Sequence, residues 1–523
     1  MSQKIVKNRI IFLFYQYILY LCSKFFTMLK KLLLYPSVTL ILLITCSICG
    51  CERNFDTAQS IEKHPDIFPD YRDVAIPVNI APLNFVLQDS CQRVEVHFIH
   101  NDRILLKSKG RNRIDISLRA WRGMLQTAAS SDLKVLVYAK NAGQWKAYKP
   151  FGIHVAPDSI DSYIAYRLID PGYEIWDRMG IYQRNLSNFD ESPIIINRLN
   201  EKNCMNCHSF HNYNPDRMMF HSRQTSVGTF LYADGVPQRV NTRTESALST
   251  GTYPIWHPSG DYIAFSANVT QQTFHALPGK KIEVYDMESD LMILDIKNNT
   301  MLLDKRFTTK NEWETYPAWS PDGKWLYYCC ADEKNMPFES EQLMYGLYRV
   351  GFNAATGRFE AQIDTILNPE LTGKSISFPR ISPDGRFLMY TSSDYATFPI
   401  WHTEADLEML DLNSNMPVDI QAINSDDAES YHSWSSNGRW IVFSSRRIDG
   451  LYTRAFFAYF DASGKMHKPF LLPQKNPIEN YRRLKSYNIP EFIKGKVTLN
   501  PYEISRVLNG EIINLNEIIV QND

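Results

Sequence analysis

Tyr316-Pro317-Ala318-Trp319-Ser320-Pro321-Asp322-Gly323 is followed at once by Trp325-Leu326-Tyr327-Tyr328. The stretch predicts a strand, a tight turn and a second strand. Pro presets the first turn position, Gly accepts the positive φ that closes it, and the flanking aromatic residues suit a pleated sheet. Three further stretches repeat it: Tyr253 to Gly260 before Tyr262 to Ser266, Phe378 to Gly385 before Phe387 to Tyr390, and Tyr431 to Gly438 before Trp440 to Phe443. A third strand follows in most copies, as at Leu347 to Val350 and Leu407 to Asp411. Four copies spaced roughly 50 to 65 residues apart have the period of β-propeller blades with loop insertions.

The aromatic-Pro-x-Trp-Ser-Pro-Asp-Gly signature resembles the Pro-Asp variant of the WD-like propeller repeat, as in TolB-like proteins, over about residues 250 to 475. The fourth copy carries Ser436-Asn437 in place of Pro-Asp and keeps the turn. Two degenerate blades are expected upstream, one with Ile164 to Arg167 and Met179 to Leu186, the other with Arg217 to His221 and Thr229 to Ala233. The expected fold is therefore all-β, a propeller of about six blades over residues 158–474. A small β-sandwich-like domain over 81–157 precedes it, where runs such as Arg93 to Phe98 and Leu133 to Tyr138 alternate with period two. One helix, from Leu118 to Ala129 with Ser117 as N-cap, interrupts that domain. Residues 475–523 are expected to form an irregular tail.

The chemistry lies between the two degenerate blades, in Cys204-Met205-Asn206-Cys207-His208, expected as part of an insertion on one rim at about 200–223. Cys-x-x-Cys-His is the attachment signal of c-type haem, in which two thiols take the haem vinyl groups and the adjacent histidine becomes an axial ligand. A helical turn is expected to set both sulfurs on one side. A zinc site completed by His211 and His221, or a plain dithiol, would use the same cysteines. The expected cofactor is one covalent haem c, with His208 on the iron and His221, ahead of Met219, as the sixth ligand. In a strand Met219 and His221 share a face and Met218 points away. Arg217 and Arg223 are the expected partners of the propionates. The bland alternative is that Met218, Met219, Phe220 and His221 are simply core.

The start of the chain fits that chemistry. From Met28, Lys30-Lys31 precede an apolar run from Leu32 to Ile48 and then Cys49-Gly50-Cys51, a basic, an apolar and a small-residue region in the order of an export signal. Ile48-Cys49-Gly50-Cys51 resembles a lipobox, which implies lipidation at Cys51, a leader over 1–50 and a tether over 51–80; a simple membrane anchor is the alternative. The implied location is the bacterial cell envelope, where thioether bonds to haem are made. A net charge of −1 leaves no electrostatic footprint for nucleic acid. No Gly-x-Ser-x-Gly occurs, so a hydrolase domain beside the propeller is not indicated. Asp286, Glu288 and Asp290 read as solvated strand-end charges, because the Gly of a calcium loop is absent. The expected function is electron transfer by a membrane-tethered envelope haem c protein, with the propeller as docking scaffold and a redox partner or envelope protein as its partner. The alternatives are an interaction module of TolB type with structural or sensory haem, and a haem peroxidase-like enzyme.

Overall fold

The computed structural model describes residues 58–172, 178–277 and 280–520, together with Phe55, Tyr20, Leu21, Ser23 and Lys24. Cys51 and the leader fall outside the described residues. Residues from Gln59 onward form one compact unit. It is all-β, with eight sheets among the described residues.

Six of the sheets follow one another along the chain with one plan, and their first strands carry the repeats. These strands are β1 (Met205–Phe210), β2 (Thr252–Trp256), β3 (Glu312–Trp319), β4 (Ser375–Ile381), β5 (Glu429–Trp434) and β6 (Ser486–Ile493). They lie beside one another in cyclic order, with β6 between β5 and β1. Each of β1 to β5 pairs antiparallel with the strand that follows it in sequence. β6 instead pairs with Tyr163–Ile169, the beginning of a sheet completed by Gly180–Asn185 and Glu191–Ile196. The sheet containing β6 is called the first here, and that containing β1 the second.

All six strands kink at one position. Cys207, Tyr253, Tyr316, Phe378, Tyr431 and Ile489 have φ between +47° and +53°, and the ladder slips its register there in every sheet. A non-glycine residue at positive φ is strained, so six in register define a structural repeat. Three residues after the kink, tryptophans tie neighbouring sheets together. Trp256 Nε1 donates to Ser209 O at 3.4 Å, Trp319 Nε1 to Ile255 O at 3.3 Å and Trp434 Nε1 to Arg380 O at 3.2 Å.

The turns that follow explain the repeat's polar residues. Ser320 Oγ lies 2.6 Å from Asp322 Oδ1 and accepts from Trp325 N, while Lys324 N donates to Asp322. Ser435, Asn437, Arg439 and Trp440 repeat the arrangement, so the Asn copy loses nothing. Gly260, Gly323, Gly385 and Gly438, all at positive φ, close these turns.

Several expectations are corrected. The Cys-x-x-Cys-His stretch is neither an insertion nor a helical turn; it runs into β1, and the strand Met218–Ser222 is its antiparallel partner. Part of the expected tether is structure, since Val74–Pro77 pairs in parallel with Phe151–Ala156. The seven-stranded and three-stranded sheets over Gln59–Ala156 share one apolar core with Trp440, Phe457, Tyr487 and Phe492 of the sheets beyond. The tail is not irregular: besides β6 it holds the helix Pro501–Leu508 and two strands that extend the second and third sheets. The earlier helix spans Leu118–Thr127, with Ser117 at its N-cap making no side-chain capping bond.

A long hairpin, Tyr262–Leu277 with Lys280–Asp295, leaves the third sheet at the end where the first strands begin. It meets the loops of three other sheets. Gln272 donates to Gly172 O, Tyr345 OH lies 3.0 Å from Asp286, and Glu283 receives Tyr395 OH at 3.0 Å and faces His402 Nε2 at 3.2 Å. Asp286 is buried at mid-hairpin, as is Asp290, which corrects their reading as solvated charges.

A candidate cofactor site in the central cavity

The six first strands enclose a cavity of about 330 Å³ that reaches the turns at Pro258, Pro321 and Pro383. That is within the range of small-molecule sites, about 300–1,000 Å³. Its floor includes the kink residues Tyr253, Phe378 and Tyr431, joined through buried Tyr316: Tyr253 and Tyr316 have ring centroids 4.5 Å apart, Tyr316 and Phe378 4.0 Å, and Phe378 and Tyr431 4.9 Å. Offset aromatic pairs of this kind contribute about 0.5–1.5 kcal/mol each beyond burial.

Cys207 stands at the kink of β1, the position that four other strands give to an aromatic ring. It is buried and lines the cavity together with His208. Cys204, half-buried, packs against the apolar cluster between the first and second sheets. Both are free thiols. His208 is 4% exposed, and neither Nδ1 nor Nε2 makes a hydrogen bond. The carbonyls of Ala165 and Ile489 are near enough to favour the charged ring slightly, but neither is placed to accept from it. Burial, then the Arg167 charge, pushes the His208 pKa down to about 4, so the ring is neutral at pH 7.

Met219 and His221 do share a face, and Met218 points away. Met218 and Phe220 join the cluster with Ala165 and Ile181 of the first sheet, whereas Met219 packs with Trp256 and Phe265 of the third. The His221 ring is 5.7 Å from Phe265, and its Nδ1 shares a 2.7 Å hydrogen bond with Thr229 Oγ1. His208, facing Arg167 and Ala165, is on the opposite side of the second sheet. The structure therefore does not bring His221 or Met219 to His208. His211 Nε2 lies 3.0 Å from Pro258 O, and no group of three His, Cys, Asp or Glu placed to hold a metal occurs among the described residues.

Arg217 is engaged away from the cavity. It donates to Gly260 O at 2.9 Å, lies 3.4 Å from Asp234 and stacks over Trp256. Arg223 is half-buried, and its backbone N–H donates to Cys204 O at 2.9 Å. The charged residues that do line the cavity are Arg380 and Glu491, with His432 beside them. Sequence reasoning missed all three. The available signal was positional: Arg380 falls two residues after the kink, where Ile255, Ala318 and Ser433 are small or apolar.

No family model and no curated protein matches the chain. Loose structural likenesses exist to a puromycin-hydrolyzing peptidase of Mycobacterium tuberculosis (11% identity, TM-score 0.32, 66% of this chain and 52% of that one). Another is to prolyl oligopeptidase B from Galerina marginata (8%, 0.31, 51% and 37%). A third is to a DUF4784 family protein from Bacteroides caccae (7%, 0.29, 69% and 96%). The chain thus spans about half the length of the first of these and little more than a third of the second. Likeness at this level says nothing about activity.

Proposed function

We propose that the six sheets are the blades of a six-bladed β-propeller closed by β6, and that the protein is a tethered envelope haem c protein serving electron transfer. Cys204 and Cys207 would hold the haem covalently, and His208 would supply a ring nitrogen to its iron. The observation that carries this reading is the His208 imidazole, buried with both ring nitrogens unbonded beside two free thiols. Leaving buried polar atoms unpaired costs about 1–3 kcal/mol, a cost that a metal bond would offset. The donor set fits the group: a neutral imidazole and two thiols at the attachment spacing. Bound there, haem iron would supply a one-electron couple. The chain's own part is to hold the imidazole at the edge of the first sheet and to keep water out with the aromatic floor. Lipidation at Cys51 would anchor the body to the membrane, with a redox partner docking on the propeller.

Co-expression with haem-attachment machinery tests the reading. The wild-type band should keep haem stain through denaturing electrophoresis, and Cys204→Ala with Cys207→Ala should lose it. An unstained wild-type band sinks the proposal.

A second reading, a ligand-binding propeller of TolB type without haem, is favoured by one observation. Cys207 and His208 occupy ordinary repeat positions, and β5 has Tyr431-His432 there. The same stain separates the two.

A further inference from the structure

The cavity holds a cation with no direct ion pair among the described residues: Glu491, the acid in the same cavity, attracts Arg380 without an ion-pair contact. Arg380 has five N–H donors, yet its side chain makes one hydrogen bond, from Nη1 to its own neighbour Pro379 O at 2.8 Å, and no ion pair among the described residues. It is firmly placed: Phe378 fixes the kink two residues earlier, and Trp434 Nε1 grips the Arg380 carbonyl. The acid in the same cavity, Glu491, is already engaged, its Oε1 accepting from Phe210 N at 3.1 Å. Burial pushes the Glu491 pKa up to about 8, against the Phe210 hydrogen bond and the attraction of Arg380. The rest of the wall mixes apolar and aromatic side chains, Trp256, Trp319, Trp434 and Ile255 among them, with polar ones such as Ser320 and Ser433.

We propose that Arg380 is the carboxylate anchor of the central cavity, whose ligand is a flat apolar body bearing a carboxylate. Guanidinium meets carboxylate in a bidentate, charge-assisted pair, and aromatic walls favour a flat ring. Two sources share this chemistry. One is a propionate of a haem held on Cys204 and Cys207, which rests on the function proposed above; the other is a free aromatic carboxylate. In the first case Arg380 takes the part expected of Arg217 and Arg223; the Arg217 guanidinium is turned to Gly260 O and Asp234.

The test uses the full chain carrying Cys204→Ser and Cys207→Ser, so that nothing is covalently attached. Quenching of tryptophan fluorescence follows titration with protoporphyrin IX against its dimethyl ester, and with indole-3-acetate against indole-3-acetamide. In at least one pair the carboxylate should bind about tenfold tighter or more, as a charge-assisted pair implies. Arg380→Gln should bring the two affinities together, and Arg380→Lys should retain part of the difference while melting like the parent. Porphyrin discrimination points to the haem source, and indole discrimination alone to a free ligand. Equal affinities in both pairs, no binding by any probe, or discrimination that survives Arg380→Gln each overturn the proposal. Haem stain without discrimination sinks only the role of Arg380; discrimination without stain sinks only the haem reading.

Discussion

His208 and His432 stand one residue after the kink in β1 and β5, and only His432 finds a partner: its Nε2 lies 3.1 Å from Met389 O, while both nitrogens of His208 are unbonded. The pair is an internal control, with one position in the repeat and two fates for the imidazole. Haem-free protein should respond accordingly. His432→Leu orphans a buried carbonyl and should lower unfolding stability by about 1–3 kcal/mol, whereas His208→Leu removes two unpaired polar atoms and should leave stability equal or raised. Urea denaturation of both variants measures the difference; equal losses would mean that His208 is a satisfied core residue.

The hairpin's contact with the fifth sheet sets a pH dependence. Against the opposing effect of burial, Glu283 and then Glu404 hold His402 protonated and raise its pKa from 6.5 to about 9. Below about pH 6.5 the ring is charged whether folded or unfolded, and the stabilisation is complete; it is lost as pH rises through about 9. Burial raises Glu314 from 4.5 to about 9, and this acid acts in the same direction through that window, whereas the shares of Asp286 and Asp290, raised from 3.8 to about 7, are lost below pH 7. Thermal melts should therefore fall between pH 7 and 9. His402→Gln should remove the His402 share, on the order of 2–3 kcal/mol.

The Trp434 indole ties the sixth sheet to the fifth through the Arg380 carbonyl. Trp434→Phe keeps most of the ring and loses the hydrogen bond. The expected cost is about 0.5–1.5 kcal/mol by denaturant unfolding.

Mass spectrometry of the mature N-terminus should find an acylated Cys51. An unmodified peptide running through residues 45 to 55 would instead support an uncleaved anchor.

Much of this fold was legible because turn chemistry is local. Ser, Asp or Asn, and Gly at fixed offsets mark three of the six first strands, and His257-Pro258-Ser259-Gly260 marks a fourth. β1 was hidden in plain view: Cys207-His208-Ser209-Phe210 stands where its neighbours write aromatic-Pro-x-Trp, and Asn214-Pro215-Asp216 lacks the glycine that follows elsewhere. β6 had no turn signal and pairs with strands from the other end of the repeat array, a relationship that periodicity does not encode. The residues of the attachment motif were readable by spacing alone. The separation of His208 from His221 was not, because it depends on which face of the second sheet each side chain takes.

The pairing of β6 with Tyr163–Ile169 also orders events in time. A chain that crosses a membrane N-terminus first delivers five of the six first strands before Ser486–Ile493 arrives. Until then the ring has a gap beside β1, where Ile489 and Glu491 will later face His208 and Phe210. Any covalent group destined for Cys204 and Cys207 has its widest entrance during that interval. On the proposed haem reading the last strand to arrive would act as the door, and a mature protein that missed its cofactor would have to unlatch β6 before receiving one.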